Sequence, residues 1–193
     1  MAQRPDLAGK RIAFVVANEG VEQVELTRPW EAVRAAGGTP VLVAPEAGEV
    51  QAFNHLDKGD RFPVDATTAE VRPEDFDAAV LPGGVANPDI LRTDAPAVAL
   101  VRGFIAQGKV VAAICHGPWT LVEAGVVAGR TLTSWPSLQT DIRNAGGTWV
   151  DEQVHEDDGL VTSRRPDDLE AFSDTLVRRV AEGDAAHRAH RAA

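Results

Sequence analysis

The chain has a single cysteine among its 193 residues, which excludes an intrachain disulfide and any zinc site built from several thiolates. Long apolar runs are missing too: stretches such as Val110 to Ile114 are far too short to cross a bilayer. The opening residues, MAQRPDLAGKR, hold no apolar core of the signal-peptide kind. A soluble cytoplasmic protein with no membrane partner is therefore expected. Basic residues are outnumbered, 19 against 29 acidic ones, for a formal charge of -10. Such a balance repels phosphate backbones, so nucleic acid is not an expected partner. No G-x-G-x-x-G follows a strand and no G-x-x-x-x-G-K-[ST] occurs, which removes the two common nucleotide-phosphate cradles. His187 and His190 are spaced like metal ligands but sit in a polar tail, and neither a metal nor another cofactor is expected.

What is present is a globular composition, 44% hydrophobic, in which strand and helix patterns alternate throughout. Apolar runs at Arg11 to Ala17, Thr39 to Ala44, Phe76 to Leu81 and Lys109 to Ile114 read as strands buried on both faces. Leu26, Trp30 and Val33 fall at helical spacing before Gly37-Gly38, and Val98, Val101 and Ile105 mark a second helix. A third helix opens at Pro118. Shorter strands are expected at Arg130 to Ser134, Thr148 to Val150 and Leu160 to Ser163, with a short helix around Leu138 and Ile142. Leu169, Phe172, Leu176 and Val180 line the last helix, which has Pro166 and acids at its start. The polar stretch from Glu46 to Thr68 is expected to form a hairpin or excursion on the sheet edge. Alternation of this kind means an α/β fold, a mostly parallel central sheet between helical layers. One domain is expected over 1–193, with a core at about 10–181 and a frayed tail at 183–193.

In such sheets ligands bind beyond the carboxyl ends of the strands. Three segments leave strand ends with unusual chemistry: Asn18 to Glu25, Pro82 to Asp89 and Cys115 to Trp119. Ala113-Ile114-Cys115-His116-Gly117 fits a nucleophile elbow, a sharp strand-to-helix turn that tolerates only small residues two before and two after the nucleophile. A thiol there sits at a helix start, where the dipole favours the thiolate; the alternative is a buried structural cysteine. Glu25 is a candidate partner if the first strand and the Cys115 strand are neighbours, with Glu22 as competitor. Protonated, such an acid would donate a hydrogen bond to the thiolate. Gly83 and Gly84 either offer backbone N–H groups as an oxyanion hole, with the amide after Cys115, or form only a turn. His116 is a candidate base. Asp89 either orients it, as the third member of a triad, or is a helix N-terminal acid.

Five blocks in order, ELTRP (25–29), LPGG (81–84), PDILR (88–92), AICHGPW (113–119) and TSWPS (133–137), resemble the ThiJ/PfpI superfamily, and most closely its PfpI-type branch. The resemblance spans about Lys10 to Val180. It implies a flavodoxin-like three-layer sandwich, a reactive Cys115 and a partnering acid at Glu25. It also implies His116 as the neighbouring base and Asp89 as an acid acting from an adjacent subunit. Trp119, Trp135 and Pro136 fall where the family lines its pocket. Asp89 stands where the archetypal protease has the longer Glu, which argues against proteolysis. His155-Glu156 lacks the His-x-Glu spacing of the related glutamine amidotransferases. The resemblance thus implies a cysteine-nucleophile stress enzyme acting on small aldehydes such as methylglyoxal, or on glycated protein or peptide. An intracellular cysteine peptidase and a non-enzymatic redox sensor or chaperone are the alternatives. A homodimer or higher homo-oligomer is also implied.

Overall fold

Period-two burial builds the centre of the molecule. In β1 (Arg11–Val15), Ile12 and Phe14 enter one apolar layer, and Ala13 and Val15 enter the other. A computed structural model describes residues 5–191, with side chains as far as residue 183. After β1 come β2 (Glu19–Glu22), α1 (Gln23–Ala35), β3 (Thr39–Ala44), β4 (Glu49–Asn54), β5 (Asp57–Pro63) and β6 (Ala66–Thr67). The middle of the chain gives β7 (Ala78–Leu81), α2 (Ala86–Leu91), α3 (Ala95–Ala106), β8 (Val110–Ile114) and α4 (Pro118–Glu123). The last part gives β9 (Thr131–Leu132), α5 (Gln139–Asn144), β10 (Thr148–Trp149), β11 (Val154–Asp157), β12 (Leu160–Ser163) and α6 (Leu169–Arg191).

Seven strands form the central sheet in the order β11-β12-β8-β7-β1-β3-β6. Every neighbouring pair is parallel except β11 with β12. Leu26 and Val33 of α1 pack on one face together with Leu169, Phe172, Leu176 and Val180 of α6. Leu100, Phe104, Leu121 and Ile142, from α3, α4 and α5, cover the other. The result is the expected flavodoxin-like three-layer sandwich. The chain moves outward from β1 to β3 on one side and to β7 on the other. That reversal opens a crevice at the carboxyl ends of the strands.

Four details differ from the sequence reading. First, β7 lies between β1 and β8, so the strands before Glu25 and before Cys115 are not neighbours. Second, the polar excursion is a hairpin, but β4 and β5 leave the main sheet and join β2 in a separate three-stranded sheet. Its tip, His55 and Leu56, is thereby carried over the strand ends. Third, the buried face of α3 is centred on Ala97, Leu100, Val101 and Phe104, because the bulkier Leu100 and Phe104 take the core positions and leave Val98 and Ile105 half-buried. Fourth, the last helix passes Gly183 and runs to Arg191, in keeping with the high helix propensity of alanine and arginine in that stretch. The side chains of His187 and His190 lie outside the described residues. No described helix is long and apolar enough to cross a membrane.

Candidate active site

The turn after β8 forces its first residue out of ordinary backbone space. Cys115 has φ +61°, a left-handed conformation that a non-glycine side chain adopts at a cost of about 1–3 kcal/mol. Its backbone is nonetheless fully used. The Cys115 N–H donates to the Ser163 carbonyl at 3.0 Å, and the Trp135 N–H donates to the Cys115 carbonyl at 2.8 Å. Gly117 closes the turn by donating to Ile114 at 2.9 Å. A Cβ at Gly117 would collide with the backbone carbonyl of Leu81, so the elbow needs glycine for space.

Glu25 is completely buried in the first turn of α1. Its Oε2 accepts a hydrogen bond from the Gly83 N–H at 2.8 Å, and its carboxyl lies against the Cys115 thiol. The route from α1 to the thiol crosses the end of β7 and is open because residue 83 is glycine. A Cβ there would stand 2.6 Å from Glu25 Oε2 and 2.7 Å from Cys115 Cβ. Gly83 thus makes room for the acid and spends its own N–H on it. The N–H groups that reach the sulfur are those of Gly84 and His116, so the oxyanion donors expected at Gly83 and Gly84 reduce to Gly84 with His116. Glu22, the competing acid, instead accepts the His55 N–H at 3.0 Å.

Burial pushes the Glu25 carboxyl up to about 8, so it holds its proton at neutral pH. Burial also pushes the Cys115 thiol well above its usual range, the Glu25 carboxyl beside it pushes the same way, and the Gly84 and His116 N–H groups pull it down. This corrects the expectation that a helix start would favour a resting thiolate. α4 is only 6 residues long, and the loss of water outweighs what so short a helix returns. Burial lowers His116 to about 4, so its imidazole is neutral. Its Nδ1 lies 3.2 Å from Cys115 Sγ, placed to take the thiol proton. Its Nε2 lies 3.5 Å from Ser137 Oγ, a neighbour the sequence reading did not single out.

The His116 ring stacks on Trp135 at 5.6 Å and meets the edge of Trp119 at 5.8 Å. Trp119 serves as support: its indole N–H donates to Asp141 Oδ2 at 2.7 Å, and the Arg92 guanidinium covers its ring. Asp89 is exposed and pairs with Arg92 at 3.1 Å. No hydrogen bond or ion pair joins it to His116 among the described residues; Asp89 pairs with Arg92, Arg92 covers Trp119, and Trp119 meets the His116 ring. The cleft around the thiol has a volume of about 460 Å³. Of the residues expected there, Glu25, Gly84, Cys115, His116 and Trp135 line it, whereas Gly83, Trp119 and Pro136 do not. Pro136 opens a short 3-10 turn behind Trp135. His55, Leu56, Val85 and Arg165 also line the cleft. They come from a hairpin tip and loops whose approach depends on tertiary pairing, and no local signal marks them. Among the described residues, no group of three or more His, Cys, Asp or Glu side chains is placed to hold a metal ion.

These two buried groups give stability a pH signature of known sign. Folding raises Glu25 from 4.5 to about 8, so the folded state binds the extra proton and stability falls as pH rises through that window. Folding lowers His116 from 6.5 to about 4, so its contribution is lost as pH falls from 6.5 toward 4. Between pH 6.5 and 8, therefore, only Glu25 acts, with a limiting slope of about 1.4 kcal/mol per pH unit. Urea denaturation should show that decline in the wild type and a flatter profile in Glu25→Gln. Parallel profiles for the two proteins would contradict the buried, protonated Glu25.

Comparison with known proteins places the chain in a family and matches its fold. A model of the DJ-1/PfpI family matches residues 10–179. The deglycase PH1704 of Pyrococcus horikoshii is 40% identical over 168 residues, covering 87% of this chain and 98% of its own length. Protein/nucleic acid deglycase 2 of Escherichia coli is 41% identical over 171 residues, covering 88% and 96%. The crystal structure of Drosophila melanogaster DJ-1beta superposes with a TM-score of 0.77 at 28% identity, covering 90% of this chain and 96% of that one.

Proposed function

This chain belongs to the DJ-1/PfpI family, and on that premise we propose that it is a cysteine-dependent stress enzyme acting on reactive aldehydes or their protein adducts. The observation that carries the reading is Cys115 held at φ +61° with a neutral imidazole nitrogen 3.2 Å from its sulfur. His116 accepts the thiol proton as the sulfur adds to a carbonyl carbon, so that no free thiolate has to form first. The oxygen that gains charge is met by the N–H groups of Gly84 and His116. Protonated Glu25 donates to the sulfur and so offsets its charge without repelling it. Relatives named deglycases support the substrate class. The cleft volume favours a small carbonyl compound or an adduct on an exposed side chain over an extended polypeptide threaded past the thiol. The test is turnover of methylglyoxal, a glycated peptide and casein side by side, with Cys115→Ser as control. Activity on casein alone would replace this reading with the cysteine peptidase. No turnover of any of them would favour a redox or chaperone role.

Asp89 enters the same proposal as a residue that acts between subunits of a homo-oligomer, since within one chain its partner is Arg92. Cys115→Ala and Asp89→Ala subunits, each inactive alone, should on mixing and reassembly regain about a quarter of wild-type activity, the statistical share of intact sites in a two-fold dimer. A fully active monomer by light scattering would overturn it.

A further inference from the structure

Two arginines stand side by side where β12 leads into α6, and the fold treats them differently. Arg164 is committed to structure: its Nε donates to Asp168 Oδ2 at 2.9 Å and its Nη1 to Asp151 Oδ1 at 2.7 Å. Arg165 lines the Cys115 cleft. Its Nε is buried and has no hydrogen-bond partner, and Arg165 takes part in none of the ion pairs among the described residues. Two carboxylates share the cleft, Glu22 and Asp167. Glu22 is already taken up by His55, through its N–H at 3.0 Å and its imidazole at 3.9 Å. Asp167 is exposed to solvent and does not pair with Arg165. The third acid, Glu25, is neutral when protonated and turned to the thiol.

A guanidinium keeps its charge at any working pH. The two terminal Nη groups of Arg165 are not among the buried unpartnered atoms, and their parallel N–H donors match the two oxygens of a carboxylate. We propose that Arg165 makes this cleft selective for carbonyl compounds that carry a carboxylate. Arg165 holds the acid group while Cys115 adds to the carbonyl, so the inference rests on Cys115 being the nucleophile. The addition balances without a co-reactant. The S–C bond forms as the C=O π bond breaks, its electron pair moves to oxygen, and the thiol proton reaches that oxygen through His116. The product is a thiohemiacetal.

The chain's single cysteine allows a test that needs no turnover. Alkylation of Cys115 by iodoacetate, which carries a carboxylate, and by neutral iodoacetamide is followed by intact mass. The ratio of the two rates cancels the intrinsic reactivity of the sulfur. Arg165→Gln should lower the iodoacetate-to-iodoacetamide ratio on the order of tenfold, and Arg165→Lys, which keeps the charge but loses the two-pronged donor, should fall between that variant and the wild type. Raising salt should lower the wild-type ratio toward that of the Gln variant. A ratio unchanged by Arg165→Gln, or by salt in the wild type, overturns the proposal. An enzyme that fails to turn over aldehydes would still show the wild-type ratio, so the two readings fail separately.

Discussion

Cys115→Ala is expected to lower turnover at least about a thousandfold while changing stability by no more than about 1–2 kcal/mol. The two effects separate because of how the residue is built in. On the proposed mechanism the chemistry resides in Sγ, the atom 3.2 Å from His116 Nδ1, and alanine removes it outright. The fold uses the backbone of the residue, through Ser163 and Trp135, and alanine leaves both hydrogen bonds in place. The cost of φ +61° is paid equally by cysteine and alanine, so it cancels between them. What remains is the loss of one buried sulfur, with Glu25 losing its neighbour. The measurement is kcat/KM on whichever substrate the wild type consumes, set beside urea midpoints of both proteins. Retained turnover in the Ala variant would end the nucleophile reading. A stability loss far above the stated range would mean that the thiol holds the cleft together.

Gly117→Ala should be more damaging to the fold than any change at the thiol, at about 3 kcal/mol or more. Gly117 has φ -49° and ψ -36°, ordinary helical values, so backbone conformation is no obstacle to alanine. The obstacle is space. The new Cβ would overlap the Leu81 carbonyl oxygen and lie 2.9 Å from that of Ile114, and both are backbone atoms at the ends of central strands. Neither can rotate away, so β7 and β8 must separate or the elbow must open. Gly125→Ala is the matched control. Its φ is +68° but nothing lies within 4 Å of a Cβ there, so only the backbone strain remains, at about 1–2 kcal/mol. Equal urea midpoints for the two variants would show that the elbow has slack.

How much of this could be read from the sequence depended on how local each constraint is. The elbow was legible because its pattern, small residues two before and two after the cysteine, lies within five consecutive residues, although the Leu81 carbonyl that crowds Gly117 comes from a distant strand. The long amphipathic helix α6 and the doubly buried strands were legible for the same reason. Glu25 was legible as a type of partner, yet its route was not. The route depends on a glycine at the end of β7, far along the chain, leaving a gap for the carboxyl. Asp89 was identified by pattern, and within one chain its partner is Arg92. Arg165 carried no local mark at all. In sequence it is the second of two adjacent arginines, and only the fold shows that the first is engaged by Asp168 and Asp151 while the second lines the cleft around the thiol.

The separate sheet made by β2, β4 and β5 divides the cleft into parts with different origins. The floor, at the ends of β7 and β8, is fixed by backbone contacts that tolerate almost no change. One wall, the tip at His55 and Leu56, is a hairpin joined to the body mainly through β2. Insertions, deletions or substitutions at that tip alter which molecules fit above the sulfur and leave the geometry of the attacking atom untouched. In a site divided in this way, selection among ligands and the placement of the sulfur are set by separate parts of the chain.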